Sequence, residues 1–183
     1  MRQRLFVFAI VVVFVVVATA TWAYQARVCK PVRYTSQNCA KIAGWDWLRR
    51  SGASAQYVFK VPPIQRPFLD KVFLNFEGLC TNGVNGGAGY DCIIIFKLQC
   101  GDETTACTIK LFNPYRPVDP HNSNGVGYKV YGYGQIPSEF LRYVLQRGRP
   151  LTATLVWPTG VHSPQPTYHI AVNKNSLYIG YLR

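Results

Sequence analysis

The chain has 183 residues, a hydrophobic fraction of 49% and a net charge of +12 from 20 basic and 8 acidic residues. That is room for one ordinary domain plus an extension, with enough apolar material for a core, and it sets aside a multidomain chain. The charge raises the question of nucleic acid, which the address of the chain, read from its first residues, answers in the negative.

Residues 1–23 open with Arg2 and Arg4, run apolar from Leu5 to Val17, and continue with the small residues Ala18, Ala20 and Ala23. This is the layout of a secretory signal peptide. The uncharged stretch from Leu5 to Ala23, 19 residues long, also approaches the length of a membrane span, so a single anchor is the alternative. Either way the rest of the chain is expected on the secretory route, as a secreted protein or as a type II membrane-anchored one facing the lumen or exterior. A basic surface there suits anionic membranes, sulfated or sialylated glycans, or an acidic protein partner, and no nucleic acid.

All six cysteines, Cys29, Cys39, Cys80, Cys92, Cys100 and Cys107, follow the apolar segment, and an even number in that compartment predicts a disulfide framework. Closeness in sequence suggests Cys29 with Cys39, Cys80 with Cys92, and Cys100 with Cys107, among the many connectivities that six cysteines allow. No CxxC or HExxH occurs, so no metal or other cofactor is expected.

Residues 24–54 show no clear period and end in GWDWLRRSGAS, which reads as a basic, cysteine-containing extension or cap. Its Trp45 and Trp47 fit packing on the neighbouring domain better than an exposed aromatic platform. The domain proper is placed at 55–183. There the runs QYVFKV, DKVFLNF, DCIIIFKLQC, ACTIKLF, YKVYGY, LTATLVW, TYHIAV and SLYIGYL are rich in β-branched and aromatic residues and are cut by Gly, Pro, Asn and Asp. Short strands with no intervening helices predict an all-β antiparallel sandwich. The one helical candidate, PSEFLRYVLQRG, begins at Pro137, stops at Gly148 and is expected to span one or two turns. TNGVNGGAG, residues 81–89, has no phosphate-loop spacing and precedes a strand, so it is a connection.

Enzymatic chemistry finds little support. The eight carboxylates form no evident acid and nucleophile pair, His121, His162 and His169 lack metal-ligand spacing, and no serine sits in a nucleophile elbow. In IKLFNPYR, residues 109–116, a period of two puts Leu111, Asn113 and Tyr115 on one face and Lys110 and Phe112 on the other, until Pro114 and Pro117 interrupt the ladder. A strand ending in Asn and Tyr can serve as a ligand platform or simply start a turn.

The succession PFLDKVFLNFEG, YDCIIIFKLQ, TTACTIKLFNPYR, HNSNGVGYKVYG, RGRPLTATLVW and TYHIAVNKNSLYIGYLR resembles the galectin carbohydrate-recognition domain in order and spacing, from about Val58 to Arg183. Tyr168, Ile170 and Val172 with Asn173 resemble the family's closing Val-Asn strand, Arg183 its terminal Arg, and GRPLT at 148–152 its Gly-x-Pro-Phe entry. The resemblance implies a jelly-roll β-sandwich of two antiparallel sheets, here disulfide-stabilised, with sugar held on one sheet face. It implies a site at Asn113, Tyr115, Arg116, Asn122, Tyr128 and Tyr131. Asn113 and Asn122 match the family's asparagines. Leu111 stands in place of its His, Tyr115 of its Arg with Arg116 one place out of phase, Tyr128 of its stacking Trp, and Tyr131 of its Glu. The expected function is extracellular glycan binding through a tyrosine-rich face, with Arg116 facing an acidic sugar. The alternative is a structural or protein-interaction module whose galectin-like face no longer takes galactosides.

Overall fold

The computed structural model describes residues 26–62, 72–82, 92–112, 128–157 and 168–182. In chain order they form β1 (Ala26–Cys29), β2 (Arg33–Gln37), β3 (Ala40–Ile42), β4 (Trp45–Leu48), β5 (Ser54–Phe59), β6 (Phe73–Asn82), β7 (Cys92–Cys100), β8 (Glu103–Phe112), β9 (Tyr128–Gln135), helix α1 (Ser138–Arg147), β10 (Leu151–Val156), β11 (Tyr168–Val172) and β12 (Leu177–Leu182). The protein is all-β in character, and each of the eight runs expected as strands is one. Residues 1–25, which include the segment expected as a signal or anchor, lie outside the described residues. Among the described residues no helix is long and apolar enough to cross a membrane.

Pairing is antiparallel throughout and joins the strands into one curled sheet, in the order β2-β5-β10-β7-β8-β9-β6-β11-β4-β3. The far edge of β6 is shared, its first half by β12 and its second by β11, and β1 extends the sheet beyond β12. The two ends of the order, β2 and β3, are consecutive in the chain and separated only by Asn38 and Cys39. A two-residue link between opposite ends requires the sheet to curl until they meet. The link uses a tight backbone: Asn38 sits at φ 53, a conformation Asn tolerates better than most residues. Its carbonyl accepts from Arg50 Nε at 3.3 Å while its amide donates to Gly52 O at 3.2 Å.

Curling brings inward side chains from both arms together. Phe96 on β7 lies between Tyr57 on β5 and Phe76 on β6, with ring centroids 6.3 and 6.1 Å away, and all three are fully buried. Around them Leu74, Ile94, Leu98, Ile109, Leu155, Ile170 and Ile179 complete the core, and their alternation along each strand is the period of two that marked these runs in the sequence.

The segment expected as an extension is part of this architecture. β2 pairs with β5, and β4 with β11, while Leu48 enters the core and Trp47 is buried, in line with the packing reading of the tryptophans. The helix is longer than expected, ten residues or about 2.8 turns, because Phe140, Leu141 and Val144 form a continuous buried stripe. Gly148 stops it in the left-handed conformation, at φ 60.

Two of the three expected local disulfides require correction. β7 and β8 form a hairpin closed at Cys100 opposite Glu103, with Cys107 opposite Phe96. Cys107 is therefore four strand positions from Cys100, about 13 Å, well beyond the reach of a disulfide. Likewise Cys29 Sγ lies 3.5 Å from Lys60 O and Cys39 Sγ 3.5 Å from Ser54 O, which places them at opposite ends of β5. Cys29, Cys39, Cys100 and Cys107 all carry thiols. Burial pushes the Cys107 thiol up to about 12, leaving it inert as a nucleophile. The side chain of Cys92, expected to join Cys80, lies outside the described residues.

Candidate functional site

The sequence YKVYGYGQ of β9 alternates in an unusual way: its inward positions after Val130 are Gly132 and Gly134, and its outward ones Lys129, Tyr131, Tyr133 and Gln135. The glycines follow from close approach of the neighbouring strand. A Cβ on Gly132 would run into Lys110 O and Ile109, and one on Gly134 into Thr108 O and Cys107. β9 therefore gives little to the core at these positions and presents its large side chains to solvent, Tyr131 at 48% and Tyr133 at 61% exposure.

Neighbouring strands extend this outer face row by row. Ile93, Lys110, Tyr133, Asn75 and Tyr178 are successive register partners across β7, β8, β9, β6 and β12. In the adjacent row, Gln135, Phe73, Gly180 and Val28 cross β9, β6, β12 and β1. On the other side Phe112, Tyr131 and Glu77 align. Phe73 meets the Tyr133 ring edge to face, centroids 5.6 Å apart at 88°, an arrangement aromatic quadrupoles favour. Lys30 Nζ lies 5.5 Å from the Tyr178 ring centroid, and the Tyr178 hydroxyl donates to Glu77 Oε1 at 3.3 Å. Burial and the Glu77 charge together raise the Tyr178 pKa, so it remains a neutral donor. Lys30, Lys110 and Lys129 are exposed on or beside these rows, and Glu77 is the one acidic residue on them.

Of the residues expected to form the sugar site, Tyr131 lies on this face. Asn113, Tyr115, Arg116 and Asn122 lie outside the described residues, and so does the side chain of Tyr128, whose backbone opens β9 opposite Cys80. Leu111, in the place of the galectin histidine, is buried at 3% exposure and belongs to the core. It pairs with Gly132 while Lys110 and Phe112 pair with Tyr133 and Tyr131. The expected alternation along IKLF is present, but its Leu111 face is the inner one. Asn173, matched to the closing Val-Asn, builds a turn: its Oδ1 accepts from Asn175 N at 2.8 Å, its N–H donates to Ser176 Oγ at 2.8 Å, and its carbonyl accepts from Tyr57 OH at 3.2 Å. The contributions of Phe73, Tyr178, Lys30 and Lys110 were not anticipated. Only the register of β6, β8, β9 and β12 unites residues from distant parts of the chain, and no local sequence signal encodes it.

A second polar cluster closes the seam. Tyr34 OH donates to Asp46 Oδ2 at 2.6 Å, and Lys41 Nζ lies 3.1 Å from Asp46 Oδ1. Burial would raise the Asp46 pKa, but the hydrogen bonds from Tyr34, Lys41 and Ser36 outweigh it and hold the carboxyl below its ordinary value. Burial and the same carboxylate push Tyr34 well up. A buried carboxylate held ionised by three donors is suited to clamping, not to proton transfer near neutral pH. Behind β4, the Arg49 guanidinium stacks over the Trp47 ring at 4.9 Å, and burial, then Arg49, lowers the pKa of His169. Among the described residues no group of three or more His, Cys, Asp or Glu could hold a metal ion. No protein-family model, no curated protein and no solved structure matches the chain.

Proposed function

We propose that the protein is a non-enzymatic binding module of galectin-like jelly-roll design, secreted or tethered outside the cytoplasm, which takes acidic glycans on the outer face of β9. The observation that carries this reading is the pair Tyr131 and Tyr133, both solvent-facing, backed by Phe73 and flanked by Lys110 and Lys129. An apolar sugar face stacks on such rings, and carboxylate or sulfate substituents pair with the lysines. The chain leaves β8 after Phe112, which is opposite Tyr131, and returns at Tyr128. Asn113, Tyr115, Arg116, Asn122 and Tyr128 belong to the same proposed site through the galectin resemblance alone. The test is a glycan array with the full chain, wild type against Tyr131→Ala and Tyr133→Ala. Binding to sialylated or sulfated glycans that weakens with salt and falls about tenfold in each variant is expected, a loss near 1.4 kcal/mol. Equal binding by the folded variants would remove the site from this face.

The burial of Leu111 favours a second reading. With the histidine position of the galactoside site turned into the core, the same tyrosines would anchor a protein partner instead. Crosslinking that captures a partner through Tyr133, with a blank array, would select it.

A further inference from the structure

We infer that the acidic glycan taken by the β9 face is a membrane glycolipid headgroup, in the membrane that holds the chain's own apolar segment. This inference rests on the glycan reading above and on retention of residues 5–23.

Three observations converge. Only Tyr24 and Gln25 separate the end of the uncharged run at Ala23 from β1 at Ala26. Three Cα steps span at most about 11 Å, so an anchored chain holds β1 within a headgroup layer's depth of the hydrocarbon. β1 is also part of the binding face. Val28 is opposite Gly180, which is opposite Phe73, which is opposite Gln135, one row away from Tyr133. Val28 is 55% exposed, an aliphatic side chain on the rim nearest the membrane. Finally, the charges suit an anionic surface. Lys30, two residues along from Val28, leans over Tyr178, and Lys110 stands in the Tyr178 row on the other side of Tyr133. The single acid, Glu77, accepts from Tyr178. Basic residues beside aromatic rings are the chemistry that proteins place at a lipid–water boundary. A free oligosaccharide would use the tyrosines and lysines but gains nothing from Val28. A lipid-borne one presents its sugar to the tyrosines and its bilayer to Val28.

The experiment is hydroxyl-radical footprinting of the full chain reconstituted in three kinds of vesicle: phosphatidylcholine alone, phosphatidylcholine with phosphatidylserine, and phosphatidylcholine with a sialylated ganglioside. A fourth sample adds the free sialylated oligosaccharide to the first. Oxidation of Val28, Tyr131 and Tyr133 is expected to fall roughly tenfold in ganglioside vesicles, as for a site filled at about ten times its Kd, while exposed Val156 on β10 is unchanged. The free sugar should protect Tyr131 and Tyr133 but not Val28. Val28→Asp should abolish the extra protection by ganglioside vesicles and leave protection by the free sugar intact. Equal protection in phosphatidylserine vesicles would overturn the inference in favour of the bilayer itself. Protection by free sugar with no gain from ganglioside vesicles, or a mature chain that starts after Ala23, would overturn it and leave the glycan reading standing. No protection by either sugar form would overturn both.

Discussion

Tyrosine is used in two opposite ways in this molecule. At the seam, Tyr34 and Tyr57 stack with centroids 5.0 Å apart at 48°, and each hydroxyl reaches the opposite arm of the sheet, Tyr34 to Asp46 and Tyr57 to Asn173 O. On the outer face of β9, Tyr131 and Tyr133 project into solvent from a strand whose inner positions beside them are Gly132 and Gly134. The first pair fixes the curl of the sheet, and the second adds nothing to the core. Large rings left exposed outside the core are what a binding surface looks like, so the two pairs should respond differently to substitution.

The sharpest contrast comes from the core behind the seam. Phe96→Ala removes the ring between Tyr57 and Phe76 and is expected to cost about 3–5 kcal/mol of stability, the range for a buried Phe truncation, seen as a fall in the urea midpoint at constant slope. Tyr133→Ala should leave that midpoint within about 0.5 kcal/mol of wild type. A comparable loss in both would erase the distinction between the faces.

That distinction was half legible in the sequence. From Gln56 onward the strands declare themselves because inward apolar and outward polar residues alternate, as in the β9 run YKVYGYGQ. β1 to β4 did not, since each is three to five residues long and WDWL places a carboxylate, Asp46, on the inward side. The Cys100–Cys107 pairing was misjudged for a related reason. Cys100 and Cys107 are near in sequence, but the hairpin turn at Gly101, φ +61, closes directly after Cys100 and sends Cys107 four positions up the ladder. Tyr131 was visible as part of a tyrosine-rich face, and its neighbour Tyr133 follows from the period of two in YKVYGYGQ. Their partners Phe73 and Tyr178, in β6 and β12 far along the chain, were not, because register across β6 is a tertiary property.

The seam itself can be broken at its carboxylate. Asp46→Ala strands the Tyr34 hydroxyl and is expected to cost about 1.5–3 kcal/mol, the range for a charge-assisted hydrogen bond. The sign of its pH dependence follows from the lowered folded pKa. The contribution is fully present above the unfolded carboxylate pKa of about 3.9 and is lost as pH falls below that toward the folded value. The difference in urea midpoint between wild type and Asp46→Asn should therefore be flat from pH 5 to 7, a window set by about 3.9 for free Asp, and shrink in more acid buffer. A difference that grew on acidification would contradict an ionised Asp46 at the seam.

The glycines that turn β9 outward offer a smaller lever. Gly132→Ala pushes a methyl against Lys110 O and Ile109, an overpacking expected to cost about 1–3 kcal/mol. It should also shift β9 away from β8, so the Lys110 and Tyr133 resonances should move together in an NMR spectrum of the variant. Gly148→Ala, where no atom lies within 4 Å of the added methyl, should leave both resonances in place, its cost arising only from φ 60.

The smallest effect tests whether the outer face is itself organised. Phe73 and Tyr133 meet edge to face on neighbouring strands, two register steps apart on β6, and a pair in this geometry typically couples by about 0.5–1.5 kcal/mol. A double-mutant cycle with Phe73→Ala and Tyr133→Ala should recover a value at the lower end, because Tyr133 is 61% exposed and water competes for its ring. A pre-positioned ring binds with less entropy to lose, so Phe73→Ala should weaken glycan binding as well, by less than Tyr133→Ala does. If Phe73→Ala left binding untouched while the cycle still showed coupling, the edge-to-face contact would be a feature of packing alone, and Tyr131 with the segment that follows Phe112 would carry the ligand.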